Sequence, residues 1–578
     1  MSTTVCRPCN RRAARECGQG TPHIEVTCTR ARANFGVMIR IQHLILAVAL
    51  LVVTVPLSAQ RRPAQGTPRP LPDPARAPTL IVFITVDQLR PDYFDRWRTQ
   101  LTGGLGRLAR GGAFYTNAFQ DHALTETAPG HATTMSGRFP RRTGIVRNSA
   151  GVQDPQQPLI GARGSGASPF RFRGTTLTDW LRSKNPRSRA LSVSGKDRGA
   201  ILPIGRDAQQ VFWYASPGLF TTSTYYADTL PDWIRRFNDR RLPDSMIVTP
   251  WTLLMPESAY AEPDSVPDEA NGRDFRFPHV AANDPDWGLP ATPFYDELTL
   301  AVALEGLRAL DLGTGPQTDV LAISLSATDY IGHKYGPDSR EVHDQILRLD
   351  RALGSFLDSL FVLRDSTKVI VALTADHGVA SFPEVHTRRS GEEAFHVDVM
   401  PVVARVRAQI AARGADSTAL QIESGMVFLE RRAMTRAKIN ADSLLRALAR
   451  NLVAIPGVAR VNRPSDLGMR DTTRDASARR WLHTIPPDLP VELVITLRPF
   501  SVWKTTPRYA EHGSPNDYDA HVPVILYGPP FSPGRRTRPA RVVDLAPTLA
   551  WAAAVVWMLI AAITIGRRAR SSDQRGST

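Results

Sequence analysis

Cysteine is nearly absent from this chain. The 578 residues hold four, and Cys6, Cys9, Cys17 and Cys28 all stand in the first 28 positions. Beyond them no disulfide framework, thiol nucleophile or thiolate metal site can be built. Cys6 and Cys9 form a CxxC, but the segment that carries them precedes a second start. Met38 opens Met-Ile-Arg-Ile-Gln-His, followed by an apolar stretch from Leu44 to Leu57 and then Ser-Ala-Gln. That is the charged, hydrophobic and small-residue order of a secretory signal, with cleavage expected near Ala59 or Gln60. Residues 1–37 are therefore expected to lie ahead of the true translation start. Residues 38–60 would be the signal peptide and the Pro-rich stretch 61–78 a linker. The protein is expected to be exported to the periplasm or the exterior, with no cysteine in its mature form.

Also missing are internal repeats, zinc-finger spacings, a basic helix and any repeated aromatic-basic pattern. The net charge of +16 invites a nucleic-acid reading, but without those modules it describes a generally basic surface. No nucleic-acid partner is expected, although such a surface attracts anionic substrates. Hydrophobic residues make up 42% of the chain, enough for one large α/β domain with insertions instead of several equal domains.

What is present is a set of carboxylates placed after buried-strand patterns. The run Thr79 to Val86 (TLIVFITV) is β-branched and apolar throughout, as for a strand buried on both faces, and Asp87 follows it. LAISL (321–325) leads to Asp329, and VIVAL (369–373) leads to Asp376. Ligands gather beyond the carboxyl ends of strands in α/β sheets, so three such carboxylates meet at one rim. A single Asp would read as a turn or cap residue. Two of these have histidine partners, His333 four residues after Asp329 and His377 directly after Asp376. Mixed Asp and His ligation suits zinc, and a zinc pair can clamp the attacking and leaving oxygens of a phosphoryl displacement. Thr-Ala-Pro-Gly-His (127–131) sets the Thr127 hydroxyl on what reads as a tight turn, a metal-activated nucleophile.

VDQLRPDY, TAPGHAT, GIVRN, SGKDRGAI, TDYIGH, ADHG and EHGSPNDYDAHVPVILYG occur in that order. Together they resemble the alkaline phosphatase superfamily, in particular secreted bacterial threonine-nucleophile alkaline phosphatases related to nucleotide pyrophosphatase/phosphodiesterases. The resemblance spans roughly residues 79–548. It implies a three-layer α/β sandwich with a central mixed sheet, helices on both faces, a cap insertion and a small accessory subdomain. It also implies two zinc ions, one held by Asp329, His333 and His512 and the other by Asp87, Asp376, His377 and the Thr127 oxygen. For the third ligand of the first ion, His521 competes with His512. His512 is preferred because His521 opens the apolar strand HVPVILY, as a packing or supporting histidine would. Thr127 would attack a small phosphate ester and pass through a phosphothreonine intermediate. Asn148 would donate to a nonbridging oxygen, while Lys196 and Arg198 would neutralise the extra charged oxygen of a monoester. Phosphate monoester hydrolysis is the implied activity. The rivals are a phosphodiesterase, for which Trp213 and Tyr214 offer aromatic contacts, and an anchored binding protein without turnover. A sulfatase is disfavoured, since the C/S-x-P-x-R motif is absent at TAPGH.

The catalytic domain is expected over residues 79–547. Gly103 to Phe119 suggests a helix and a return strand, and Leu298–Leu312 and Ser339–Phe361 carry helical periodicity. Residues 138–300 read as a Gly- and Pro-rich insertion capping the site, and 400–500 as an accessory subdomain with a helix near Ala441–Leu452. At the far end, Leu545 to Gly566 is uncharged and about 20 residues long, the length of a bilayer crossing. Residues 548–566 are thus a candidate C-terminal transmembrane helix anchoring the protein, with 567–578 as a basic tail on the cytoplasmic side. A frameshift that replaced the family's usual ending is the alternative.

Overall fold

The computed structural model describes residues 77–554. The upstream segment, the signal peptide, nearly all of the linker and the basic tail lie outside the described residues.

Ten strands form one central sheet: β1 (Leu80–Val86), β2 (Ala113–Phe119), β3 (Ala190–Ser194), β4 (Gln210–Ala215), β5 (Leu219–Thr221), β6 (Asp319–Leu325), β7 (Val369–Thr374), β8 (His521–Tyr527), β9 (Gly534–Arg536) and β10 (Ala540–Arg541). Their spatial order is β9-β2-β8-β7-β1-β6-β3-β4-β5, with β10 also beside β2. β1, β3, β6 and β7 are buried along their whole length, as their unbroken apolar sequences require of strands covered on both faces. They run parallel, while β8 lies antiparallel to β7 and β2, so the sheet is mixed. Register matters most for function. Thr85 stands opposite both Ser324 and Thr374, which aligns the carboxyl ends of β1, β6 and β7 on one rim.

Helices cover the sheet. The principal helices are α1 (Gly104–Gly111), α2 (Thr127–Thr134), α3 (Leu177–Lys184), α4 (Asp197–Ile204), α5 (Phe294–Ala309), α6 (Ala327–Tyr335), α7 (Arg340–Leu363), α8 (Ala441–Val453) and α9 (Leu545–Ala552), α8 belonging to the separate core of residues 400–500 and the others to the main fold. α1, α5, α6 and α7 pack together in one layer, and α2, α3, α4 and α9 in the other, giving the three-layer sandwich. Asp350 of α7 ties the first of these in place by accepting from Gly103 N (2.5 Å) and Gly106 N (2.9 Å).

Two features depart from the expectations. The span 138–300 is not a single insertion, because β3, β4, β5, α3 and α4 all fall within it and extend the central sheet. Its strands are short and separated by Gly- and Pro-bearing loops, so ordinary connections read as an insert. The part that adds no strand to the sheet is 222–293, where Pro250–Trp251 pairs with His279–Val280, although Trp233 packs edge-on against Phe212 of β4. The apolar run at the end of the chain departs as well. Leu545, Ala546 and Leu549 of α9 are buried in the main core, and Lys184 Nζ donates to Ala553 O (2.6 Å). The start of the candidate membrane segment therefore belongs to the globular fold, since a helix this apolar buries equally well against protein. Among the described residues no helix is long and apolar enough to cross a membrane. The rest of that segment lies outside them.

Between residues 400 and 500, strands Leu420–Glu423, Met426–Leu429, Val491–Leu497 and Val458–Asn462 form a separate antiparallel sheet in that order. Val403, Ile410 and the α8 residues Leu445, Leu448 and Leu452 give it a core of its own.

Candidate active site

Asp87 follows β1 directly, Asp376 lies two residues beyond β7, and Asp329 sits in the first turn of α6, the helix that leaves β6. The four-residue spacing in α6 then brings His333 onto the same helix face, with Nε2 3.3 Å from Asp329 Oδ1. His512 arrives from a distant loop, its Nε2 3.2 Å from His333 Nε2 and 3.5 Å from Asp329 Oδ1. Asp87, Asp376 and His377 form a second, fully buried group, with His377 Nε2 3.2 Å from Asp87 Oδ1. Within each trio the ligating atoms lie within 4.8 Å of one another. The His377 and His512 rings, one from each trio, stack at 3.6 Å. His521 stands elsewhere, holding Thr116 O through Nε2 (2.8 Å) and stacking on Phe119.

Both trios suit cations. His333 Nδ1 lies 2.6 Å from Ala510 O and His512 Nδ1 2.8 Å from Thr125 O. Backbone carbonyls hold those nitrogens as donors, so the two Nε2 lone pairs face each other, which only a shared cation or proton relieves. Asp87 Oδ1, Asp376 Oδ2 and His377 Nε2 are likewise buried without a properly directed hydrogen bond. Electrostatics agree. Burial alone lowers a histidine, yet Asp376 and Asp87 raise His377 to about 10, and Asp329 raises His333 to about 9. His512, desolvated and beside His377, drops to about 3. Asp376 and Asp329 are held below the usual carboxylate range despite burial, by His377 and His131 for the first and by Lys196 and His333 for the second.

Thr127 is buried and opens α2; the segment is a helix start, not the tight turn expected from Pro-Gly. Proline fits there because first-turn N–H groups have no intrahelical acceptor. Gly130 is what lets this helix reach the rim: a Cβ on it would lie 2.3 Å from Asp376 O. Asn148 Oδ1 accepts from Ala128 N (2.8 Å), which leaves its amide donors for another acceptor. Arg198, on α4, keeps a buried Nε with no hydrogen-bond partner. Lys196 lies where a substrate-facing cation was not expected. Its Nζ sits 2.5 Å from both Asp87 Oδ2 and Asp329 Oδ2, bridging one carboxylate of each trio above the Tyr330 ring. Three carboxylates converging on one rim draw the nearest ammonium between them. Trp213, of the aromatic pair considered for diester contacts, is buried in the core, and Tyr214 packs edge-on against Phe220 and Tyr295.

Three supporting residues escaped the sequence reading. Gln88 takes a positive φ (68°), gives its backbone N–H to Asp376 Oδ1 (3.2 Å) and donates through Nε2 to Asp329 Oδ1 (2.8 Å), linking the two trios. His131 Nδ1 lies 2.9 Å from Thr127 O and 3.1 Å from Asp376 Oδ2, while its Nε2 reaches Ser324 Oγ (2.8 Å). Its position one turn after Thr127 was the available signal. Glu126 accepts from Asn148 N (2.6 Å) and is raised by burial.

A mixed-sheet sandwich with two Asp/His trios, one of them against a helix that opens on a buried threonine, defines a phosphate-ester hydrolase scaffold. The chain belongs to the type I phosphodiesterase / nucleotide pyrophosphatase family, which it matches over residues 81–452. It is 31% identical to alkaline phosphatase PhoK of Sphingomonas sp over 508 residues, 82% of this chain and 88% of that one. It is 29% identical to alkaline phosphatase PafA of Elizabethkingia meningoseptica, covering 87% and 94%. The crystal structure of wild-type PafA superposes with a TM-score of 0.77 at 27% identity, over 82% of this chain and 96% of PafA.

Proposed function

We propose that this protein is an alkaline phosphatase that hydrolyses small phosphate monoesters through a phosphothreonine at Thr127. The observation that carries the reading is the pair of Asp/His trios, the Asp87, Asp376 and His377 trio keeping unpartnered ligating atoms, with the Thr127 helix pressed against Asp376. Asp329, His333 and His512 would hold one zinc ion and Asp87, Asp376 and His377 with Thr127 the other. When bound, the pair would supply Lewis-acid charge for the attacking and departing oxygens.

The chain's own residues do the rest. The Thr127 hydroxyl gives up its proton to solvent as its oxygen attacks phosphorus, the bond to the ester oxygen breaks, and the alcohol departs with a proton from solvent. Water then cleaves the phosphothreonine, restoring the hydroxyl and releasing phosphate. With its oxygen committed to Ala128 N, Asn148 offers amide donors to a nonbridging oxygen. Arg198 brings a guanidinium with an unused buried donor, and Lys196, paired with Asp87 and Asp329 in the metal-free chain, would supply a second cation once metal takes those carboxylates, which suits the dianion of a monoester. Residues 38–60, as a secretory signal, would deliver the enzyme outside the cytoplasm.

The test compares kcat/KM for an aryl monoester, an aryl diester and a sulfate ester on zinc-loaded protein. The monoester is expected to lead; a preferred diester would overturn the monoesterase reading and the roles of Lys196 and Arg198. Thr127→Ala should lose the acid-stable phosphoenzyme and at least about a thousandfold in turnover, since the nucleophile goes while the core is untouched.

A further inference from the structure

We propose that an arginine-lined groove beside Asn148 holds a second anionic group of the substrate, so that esters carrying two or more phosphoryl groups are the preferred class. The proposal rests on the monoesterase reading above, whose site supplies the first phosphoryl position. The groove has a volume of about 370 Å³, and Arg147, Arg171, Arg173 and Arg206 line it together with one carboxylate, Asp488. Four guanidiniums against one acid in a concave surface focus a positive potential.

The four arginines are not equivalent. Arg173 is committed to Asp488 through two contacts of 2.9 and 2.6 Å, and Arg147 to Glu423 at 3.0 Å. Among the described residues, Arg171 and Arg206 have no carboxylate partner. Arg171 donates to Gln153 O (2.6 Å) and Arg206 to Phe170 O (2.5 Å), contacts that use one N–H each and leave the charge unneutralised. Phe170, 46% exposed, lies 4.1 Å from the Arg171 guanidinium carbon and holds that plane in place. A planar fork with free donors and no counter-charge matches the geometry of a phosphoryl oxygen pair.

The groove is joined to the catalytic rim by sequence and by hydrogen bonds. Arg147 and Ala150, both in its lining, flank Asn148, which caps the Thr127 helix through Ala128 N. A substrate anchored by one phosphoryl group at Thr127 would thus have a second cationic surface beside the loop of Asn148, its proposed contact. The size of the groove suits one or two phosphoryl groups on a small ester and not a nucleic-acid strand.

Two measurements test this. On zinc-loaded Thr127→Ala protein, calorimetry at low salt compares the Kd of orthophosphate with that of tripolyphosphate. On the wild-type enzyme, kcat/KM is compared for a hexose bisphosphate and the matching monophosphate. Both preferences are expected to favour the multiply charged compound by about tenfold or more, to shrink with added salt, and to collapse toward unity when Arg171→Gln and Arg206→Gln are combined. The paired lysine substitutions, which keep the charge, are expected to retain most of the binding preference, and melting temperatures confirm folding. A preference absent from the parent, or unchanged in the glutamine double variant, overturns the groove. If neither ester is turned over by the wild type, the monoesterase reading fails, and tripolyphosphate binding still decides the groove independently.

Discussion

Lys196 places its ammonium 2.5 Å from a carboxylate oxygen of each trio, in contact with residues that two metal ions would also claim. In the metal-free chain it balances Asp87 and Asp329, so it competes with the proposed zinc ions. Lys196→Met should lower the melting temperature of the chelated protein, because removing one partner of a buried ion pair costs about 3–5 kcal/mol. The same change should tighten zinc, since an incoming ion no longer meets a buried cation. Competition against a chromophoric chelator measures this, and weaker zinc binding in the variant would contradict it. The histidines add a pH dependence with a definite sign. His377 and His333 are raised from 6.5 to about 10 and about 9, so their charged forms stabilise the metal-free fold fully below about pH 6.5. That contribution is lost as pH rises through about 9 and about 10. Melts of chelated protein should accordingly decline across this window, while zinc affinity climbs because a metal takes neutral imidazole. A flat melting profile would count against buried charged histidines. At this scale the sequence was informative about residues that carry chemistry and nearly silent about those that aim them. Asp87, Asp329 and Asp376 are marked by the strands before them, whereas Gln88 works through a positive φ and Glu126 through a neighbour 22 positions away.

At the level of elements, the legible rule was that a buried strand followed by an acid points to a rim. It succeeded because β1, β6 and β7 are adjacent and parallel in one register, a consequence of full burial on both faces. It could not show that α2 is a helix, since Pro-Gly is the usual signature of a turn and only the first helical turn accepts proline without losing a hydrogen bond. That helix depends on one close approach. At Gly130 a methyl group would meet Asp376 O at 2.3 Å and Asp376 Cβ at 2.6 Å, neither of which is a flexible side-chain end. Gly130→Ala should therefore push α2 and Asp376 apart, and a displacement of this kind at a reacting group costs about a hundredfold in turnover. It should also weaken one of the two zinc equivalents. Gly468→Ala, where the nearest atom is Ser465 O at 3.7 Å, is the matched control and should change neither. Kinetics with metal counting on both variants checks the contrast. The accessory sheet bears on the same loop, for its Glu423 pairs with Arg147 at 3.0 Å and hydrogen-bonds Ser149, on either side of Asn148.

For the whole molecule, composition and motif order predicted one large α/β domain, and the three-layer sandwich agrees. The strands within 138–300 were illegible because three short segments among Gly- and Pro-bearing loops have no period long enough to read, and only the pairing of β3 with β6, of β4 with β3 and of β5 with β4 makes them part of the sheet. The C-terminal run is ambiguous for the opposite reason: a helix that is apolar on every side looks the same whether lipid or protein surrounds it. The structure assigns its first part to protein. Leu545 and Leu549 are 2% and 0% exposed, and each fully buried leucine contributes about 1.5–3 kcal/mol. A chain ending at Asp544 should consequently lose at least about 3 kcal/mol and express poorly or aggregate. A chain ending at Ala554 keeps α9 and the Lys184 contact to Ala553, and should melt and turn over phosphate esters like the full-length protein. Comparing the two truncations by thermal melts and kcat/KM, and the longer one with the full chain by membrane fractionation, separates the folding role of 545–554 from any anchoring role of 555–578. Equal stability of the chain ending at Asp544 would show that α9 is dispensable, and would return residues 545–566 to the membrane reading.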